Sequence, residues 1–209
     1  MLQDLYKLFL RLHNFSLKIS GPVLQCLLRR RLRLPLPDGL AQCPAKSHGK
    51  TTGRLALDDF GDHLAACMHT GRVQRRANVL EKAWAQVFRE AGGLIVQNER
   101  LSNMRIGVNP EDKRRVEFAV YNLNFFHGIP ILCDVTQVSP LSQDGTPHAK
   151  TCTRPGVSLE VAEKRKHKTY REAAEQRGDV QLVTLACEVG GRWSEACVQC
   201  SLRRLRCHV

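Results

Sequence analysis

The spacing of apolar residues changes along the chain and predicts helices in some segments and strands in others. Across 74–91, apolar positions recur every three to four residues, and Gly92 and Gly93 end this helical pattern. Short runs rich in β-branched residues predict strands at 94–98, 115–123, 129–138 and 180–189. A charged helical pattern at 159–174 separates the last two strands, and Ser194 begins a final helix. The order helix, three strands, helix, strand is typical of an α/β (α+β) domain.

The first 73 residues differ from the rest, because helical patterns are followed by scattered cysteines and histidines. Residues 1–34 predict two helices that are interrupted at Gly21 and Pro22, and the prolines of LPLPDG prevent a further helix. We therefore divide the chain into four segments. They are a helical segment with its linker (1–40), a Cys/His segment (41–73), an α/β core (74–190) and a basic C-terminal helix (191–209).

The basic residues are clustered, and the chain carries a formal net charge of +12 with a pI near 9.6. The clusters are RRRLR at 29–33, RVQRR at 72–76, KRKHK at 164–168 and RRLR at 203–206. Clustered positive charge attracts polyanions. With 43% hydrophobic residues the chain can bury a core, so we predict a folded protein. The basic clusters make nucleic acid the leading class of partner. An anionic membrane surface, or solvated faces without a partner, are the alternatives.

The nine cysteines are interpreted as metal ligands or core residues rather than as disulfides. Their number is odd, and the N-terminal run MLQDLYKLFLRLHNF is too charged for a secretory signal or a membrane span, so we expect a reducing, intracellular environment. His63 and Cys67 are four residues apart, which lets both ligate one ion from a helix, and Cys43 is an upstream candidate. Cys197, Cys200, Cys207 and His208 are a second candidate ligand set, but Cys197 and Cys200 fit a core role in an amphipathic helix better.

One carboxylate falls inside the most apolar predicted strand, IPILCDVTQVSPL at 129–141. A buried charge such as Asp134 requires a partner, unless it is solvated at a sheet edge or forms a surface salt bridge. A hairpin that turns near 125–126 would place Glu117 opposite Asp134, with Cβ atoms about 4.5–5.5 Å apart on one face. Two carboxylates this close favour a divalent cation such as Mg²⁺. Alternatively, Glu117 pairs at the surface with an arginine at 114–115.

The predicted helix 159–174 adds a lysine to this pair of acids. Glu163, Lys166 and Tyr170 are spaced i, i+3 and i+7, so they share one helix face. A lysine beside a cation and a scissile phosphate stabilises developing negative charge. Alternatively, Lys166 is one solvated lysine of a basic run. Two strand carboxylates together with a helix lysine are more specific than any one of them.

Several strings, in this order, resemble the C-terminal restriction-like endonuclease region of non-LTR retrotransposon polyproteins. The strings are GDHLAAC at 61–67, RR at 114–115 with Glu117, CDVTQVSPL at 133–141, AEKRKHKTY at 162–170 and LACEVGGRWSEA at 185–196. The resemblance covers about residues 27 to 200.

The resemblance implies a PD-(D/E)xK restriction-endonuclease-like core of helix, three strands, helix and strand, which is the order predicted above. It implies that Glu117 and Asp134 hold Mg²⁺ or Mn²⁺ and that Lys166 and Tyr170 complete the site. The implied activity is nicking of double-stranded DNA in the nucleus, which frees a 3′-hydroxyl to prime reverse transcription of the element's RNA. The sequence has no polymerase-like acidic motif in a strand-turn-strand pattern, so we expect a fragment of a longer polyprotein, a truncated copy or a predicted open reading frame.

Two positions depart from the family pattern. Glu117 follows Val116 where the family has Asp after Pro, and Thr136 stands at the usual nuclease lysine position. The alternative function is therefore a catalytically decayed, basic remnant that binds nucleic acid without cutting it.

The family also carries a Cys-Cys-His-Cys zinc knuckle before the nuclease, and GDHLAAC resembles its second half. The resemblance implies a structural Zn²⁺ held by Cys43, His63 and Cys67, with His48 in place of the absent second cysteine. The alternative is a decayed knuckle whose thiols are simply buried.

Overall fold

Two compact units make up the chain in a computed structural model. The model describes residues 20–37, 42–48, 51–53, 55–104, 106–123, 127–175 and 179–206. The first unit comprises Met1–Val73 with Leu141–Thr146, and the second comprises Gln74–Pro140 with Pro147–Val209. The first of the two helices predicted within 1–34 and the predicted turn at 125–126 lie outside the described residues.

The described part of the first unit includes two α-helices and a small hairpin. Helix α1 (Gly21–Arg31) has Pro22 in its first turn, where the missing N–H costs no helical hydrogen bond. The predicted interruption at Gly21 and Pro22 is therefore the start of this helix. Strands β1 (Ser47–His48) and β2 (Thr51–Thr52) pair antiparallel, and helix α2 (Asp62–Ala66) follows. The apolar pattern did not predict this hairpin, because its strands have only two residues each.

The second unit follows the predicted order of elements. These are helix α3 (Arg72–Glu90), strands β3 (Leu94–Gln97), β4 (Phe118–Tyr121) and β5 (Ile131–Val138), helices α4 (Val157–Thr169) and α5 (Arg171–Glu175), strand β6 (Gln181–Glu188) and helix α6 (Glu195–Arg206). The prediction of a mixed α+β fold is confirmed. Two boundaries were wrong: β4 is shorter than the predicted 115–123, and the predicted helix 159–174 is interrupted at Tyr170.

The sheet has the strand order β3-β4-β5-β6 and is mixed. The first three strands are antiparallel, whereas β5 and β6 are parallel. In the register of β4 and β5, Phe118 pairs with Cys133, and in that of β5 and β6, Asp134 pairs with Thr184. Within the described ranges, no helix has the length and apolar character needed to cross a bilayer.

Each face of the sheet buries its own hydrophobic cluster. One cluster contains Phe88 of α3 and Phe118, whose ring centroids are 6.0 Å apart, together with Cys197 and Cys200. This placement agrees with the predicted core role of those cysteines. The other cluster contains Tyr170 and lies on the opposite face, with Ala119, Leu132 and Leu182. Because side chains alternate along a strand, Asp134 and Thr184 lie on the Tyr170 face.

Candidate functional site

Two carboxylates lie side by side on the Tyr170 face of the sheet. Phe118 of β4 pairs with Cys133 of β5. Glu117 immediately precedes Phe118 and Asp134 immediately follows Cys133, so this antiparallel register places the two acids opposite each other. The Glu117 Oε2 atom accepts a hydrogen bond from the backbone N–H of Val135 at 3.1 Å, which places the Glu117 side chain against β5. Asp134 is fully buried, with 0% of its surface exposed. It is therefore not a solvated edge residue.

The electrostatic cost of this arrangement falls on Glu117. Burial, and next to it the negative charge of Asp134, raise the pKa of Glu117 to about 7, although the Lys166 ammonium acts in the opposite direction. A carboxyl group ordinarily ionises near 4.5. The two acids thus fit together with both charges only when a cation compensates them.

Lys166 of α4 supplies one such cation. Its Nζ atom lies 2.5 Å from Oδ1 of Asp134, and its side chain is 21% exposed. Lys166 lies in the last turn of α4, four residues before Tyr170. Glu117, Asp134 and Lys166 therefore lie close together, which is the combination that the sequence predicted.

Tyr170 is buried next to this group but is directed by a backbone contact. Its hydroxyl donates a hydrogen bond to the carbonyl of Arg115 at 2.8 Å. Burial, together with the negative charge of Asp134, raises the pKa of Tyr170 far above its ordinary value. The phenol therefore stays protonated and acts as a hydrogen-bond donor, not as a base.

Glu163 is placed less centrally than predicted from the shared helix face. Its side chain is 43% exposed, and its carboxylate lies 3.9 Å from the Nε2 atom of His167. The arginines considered as surface partners of Glu117 bind elsewhere. Arg114 binds Asp112 and Glu172, while Arg115 donates to a backbone carbonyl.

The donor atoms of the acid pair suit a hard divalent cation. Mg²⁺ and Mn²⁺ prefer carboxylate and water oxygens, and Mg²⁺ commonly uses one or two carboxylates. The Lys166 ammonium contacts the Asp134 carboxylate at Oδ1, and because a carboxylate has about four lone-pair sites, others would be available to an ion. Glu117 and Asp134 are the residues that would hold this ion.

Four other residues form a second candidate metal centre, in the first unit. Cys43, His48, His63 and Cys67 each offer one ligand atom, and these atoms all lie within 4.8 Å of one another. The two sulfurs are 3.9 Å apart, the Nε2 atoms of the two histidines are 3.3 Å apart, and His48 Nε2 is 3.3 Å from Cys43 Sγ. Around a tetrahedral Zn²⁺, sulfurs would be about 3.8 Å apart and nitrogens about 3.3 Å. The cluster could therefore bind a metal such as zinc.

The surroundings of Cys67 favour the protonated form of its thiol. Burial, together with the neighbouring Cys43 thiol, raises the pKa of Cys67. Metal binding would release protons from the cluster, because a metal ligates the thiolate.

Asp58 and Asp62, which the sequence analysis missed, hold the helix that carries His63. Both carboxylate oxygens of Asp58 accept backbone N–H bonds at the start of α2, including that of His63 at 2.8 Å. Asp62 is 3% exposed and forms an ion pair with Arg33 at 2.6 Å. An aspartate four residues before a short helical segment was the available signal, because aspartate side chains bind backbone N–H groups of the residues that follow them.

No family model matches the chain, and no curated protein is similar to it in sequence. The functional interpretation therefore depends on the two sites themselves.

Proposed function

We propose that the chain is a metal-dependent endonuclease domain of the PD-(D/E)xK type that nicks double-stranded DNA. The observation that supports this most is the convergence of Glu117, Asp134 and Lys166 on one face of the sheet. A divalent cation bound there would polarise a phosphoryl oxygen and acidify a bound water. Glu117 and Asp134 would hold it.

The chain's own side chains have separate roles in this proposal. Lys166 is flexible and partly exposed, so its ammonium can move from Asp134 to the negative charge that develops on a scissile phosphate. Tyr170 connects the end of α4 to the Arg115 carbonyl, two residues before Glu117, and so fixes the helix relative to the acids.

The basic residues of α4 support DNA as the substrate. Lys164, Arg165 and Lys168 are exposed on the helix that carries Lys166. Such residues bind backbone phosphates and supply affinity without reading sequence. The resemblance to retrotransposon endonucleases gives the proposed biological use, which is to prime reverse transcription of element RNA.

The Cys/His centre supports the same proposal as a structural zinc site. Its Cys₂His₂ donor set and its interatomic distances fit tetrahedral Zn²⁺. All four positions are assembled, with His48 completing the set, which favours a working knuckle over a decayed one.

The experiment is a plasmid assay with Mg²⁺ or Mn²⁺. The wild-type chain should convert supercoiled plasmid to nicked circles, and Asp134→Asn should do so at least about 100-fold more slowly. Glu160→Gln is the matched control, because Glu160 is an exposed acid of α4 that pairs with Arg154. If wild type and Asp134→Asn shift the plasmid on a gel equally but neither cuts it, the chain is a binding remnant and the endonuclease proposal is wrong.

A further inference from the structure

Thr184 lies beside Asp134 and has no role in the site described so far. The two residues are Cα partners in the parallel register of β5 and β6. Directly paired residues point to the same face of a sheet, so the Thr184 side chain lies on the Tyr170 face, next to the acid. Thr184 is 1% exposed.

The Thr184 hydroxyl is a buried polar group without a partner among the described residues. The Oγ1 atom of Thr184 makes no hydrogen bond within the described residues, so it does not bond directly to either carboxylate oxygen of Asp134. Burying a hydroxyl without a hydrogen bond is unfavourable. Such a group requires an explanation, and a bound ligand or water molecule beside Asp134 is one.

A bridging water would satisfy the Thr184 hydroxyl, which a direct contact with Asp134 does not. Thr184 Oγ1 and the Asp134 oxygens are neighbours by register, yet they are too far apart or too poorly aligned to bond directly. One water bridges such a gap with little loss of energy. Mg²⁺ keeps several of its waters when two carboxylates bind it.

We propose that Thr184 is a positioning residue of the acid pair, and that its hydroxyl binds a water molecule in the hydration shell of the divalent cation. This rests on the proposed function, since the shell exists only if Glu117 and Asp134 hold the cation. The hydroxyl both donates and accepts, so it can bind a coordinated water in either sense. Thr184 thereby sets the affinity of the site for its ion without touching it.

The test measures metal binding to the full chain in the absence of DNA. Wild type, Thr184→Val, Thr184→Ser and Asp134→Asn are titrated with Mn²⁺, and free ion is followed by electron paramagnetic resonance. Melting temperature is recorded at each concentration. We expect Thr184→Val to bind the ion about 10–100-fold more weakly. Thr184→Ser should restore most of the affinity, because it keeps the hydroxyl.

Stability without metal separates this role from a structural one. Valine has the shape of threonine, so removing an unsatisfied hydroxyl should leave the metal-free melting temperature unchanged or higher. If Thr184→Val is less stable without metal and binds Mn²⁺ as wild type does, the hydroxyl is structural and the inference is wrong. It is equally wrong if Thr184→Val matches wild type in both measurements while Asp134→Asn loses the ion. If Asp134→Asn binds Mn²⁺ as wild type does, the proposed function and this inference both fail.

Discussion

The Lys166 ammonium lies 2.5 Å from the Oδ1 atom of Asp134, a carboxylate with no exposed surface. A buried charge needs a counter-ion, and here a side chain from a neighbouring helix provides it. The same oxygen would also ligate a divalent cation. In the proposed function, lysine and metal would therefore compete for Asp134, and Lys166 would compensate the buried Asp134 charge in the metal-free protein.

We predict that Lys166→Met destabilises the metal-free protein and that metal reverses much of the effect. Removing one partner of a buried ion pair costs on the order of 3 kcal/mol, because the other charge stays buried. Mg²⁺ would replace the lost positive charge. Urea denaturation with and without Mg²⁺ measures this. Lys164→Met, at an exposed position of the same helix, is the control and should have no effect.

A loss of stability in Lys166→Met that metal does not reduce would contradict this prediction. So would an unchanged free energy of unfolding, because Asp134 would then need no counter-ion.

The raised pKa of Glu117 predicts a pH dependence of stability in the metal-free protein. Its pKa rises from 4.5 unfolded to about 7 folded, so the folded state binds the proton more tightly. This stabilisation is complete below pH 4.5 and is lost as the pH rises through 7. The loss is on the order of 3 kcal/mol, because each pH unit between the unfolded and folded pKa values contributes about 1.4 kcal/mol. Free energies of unfolding at pH 5 and pH 8 measure it.

Glu117→Gln is the control for this pH dependence, because glutamine keeps the shape but does not titrate. Its stability should change less between pH 5 and pH 8 than that of wild type. An identical slope in both proteins would assign the pH dependence to other groups.

Tyr170→Phe should weaken the structure slightly without changing the acid–base chemistry. The variant loses the hydroxyl bond to the Arg115 carbonyl, which is worth about 1 kcal/mol. Because the phenol stays protonated, the pH profile of nicking should keep its shape while the maximum rate falls less than in Asp134→Asn. A new or missing ionisation in that profile would instead make Tyr170 a general acid or base.

The Cys/His centre predicts one zinc ion for each chain. Elemental analysis should find about one equivalent of Zn²⁺ in wild type and far less in His63→Ala or Cys67→Ser. Cys152→Ser is the control, since Cys152 is an exposed free thiol. Chelation should lower the melting temperature of wild type but not of Cys67→Ser. Wild-type protein with only traces of zinc would favour a decayed knuckle.

The sequence predicted the elements of the second unit well, because apolar periodicity records which residues face the core. It predicted the start of β4 poorly. Residues 115–117 look like strand, yet Arg115 forms only an isolated bridge with Arg100, and Glu117 precedes the strand. Which residues join a ladder depends on the neighbouring strand, and that information is not local.

The candidate sites were predictable to different degrees. The acids and Lys166 stood out because charge in an apolar strand, or at a repeated helical position, is a local signal. Thr184 gave no signal, since threonine is ordinary in strands and only the β5–β6 register places it beside Asp134. His48 is fifteen residues from His63 in sequence, and the hairpin that brings it close is too short for periodicity to reveal.

The site depends on the register between β4 and β5. In the segment that joins these strands, a change of length is therefore more harmful than a substitution. Phe118 and Cys133 are opposite each other, and so are the two acids one position outward. A slip of one residue in the pairing would exchange the two faces of β5. Asp134 would then point toward Phe88 and Phe118, and Cys133 would point toward α4. Single-residue insertions or deletions at 122–130 should therefore abolish the site, whereas substitution of the exposed His127, which lies outside both strands, should leave it intact.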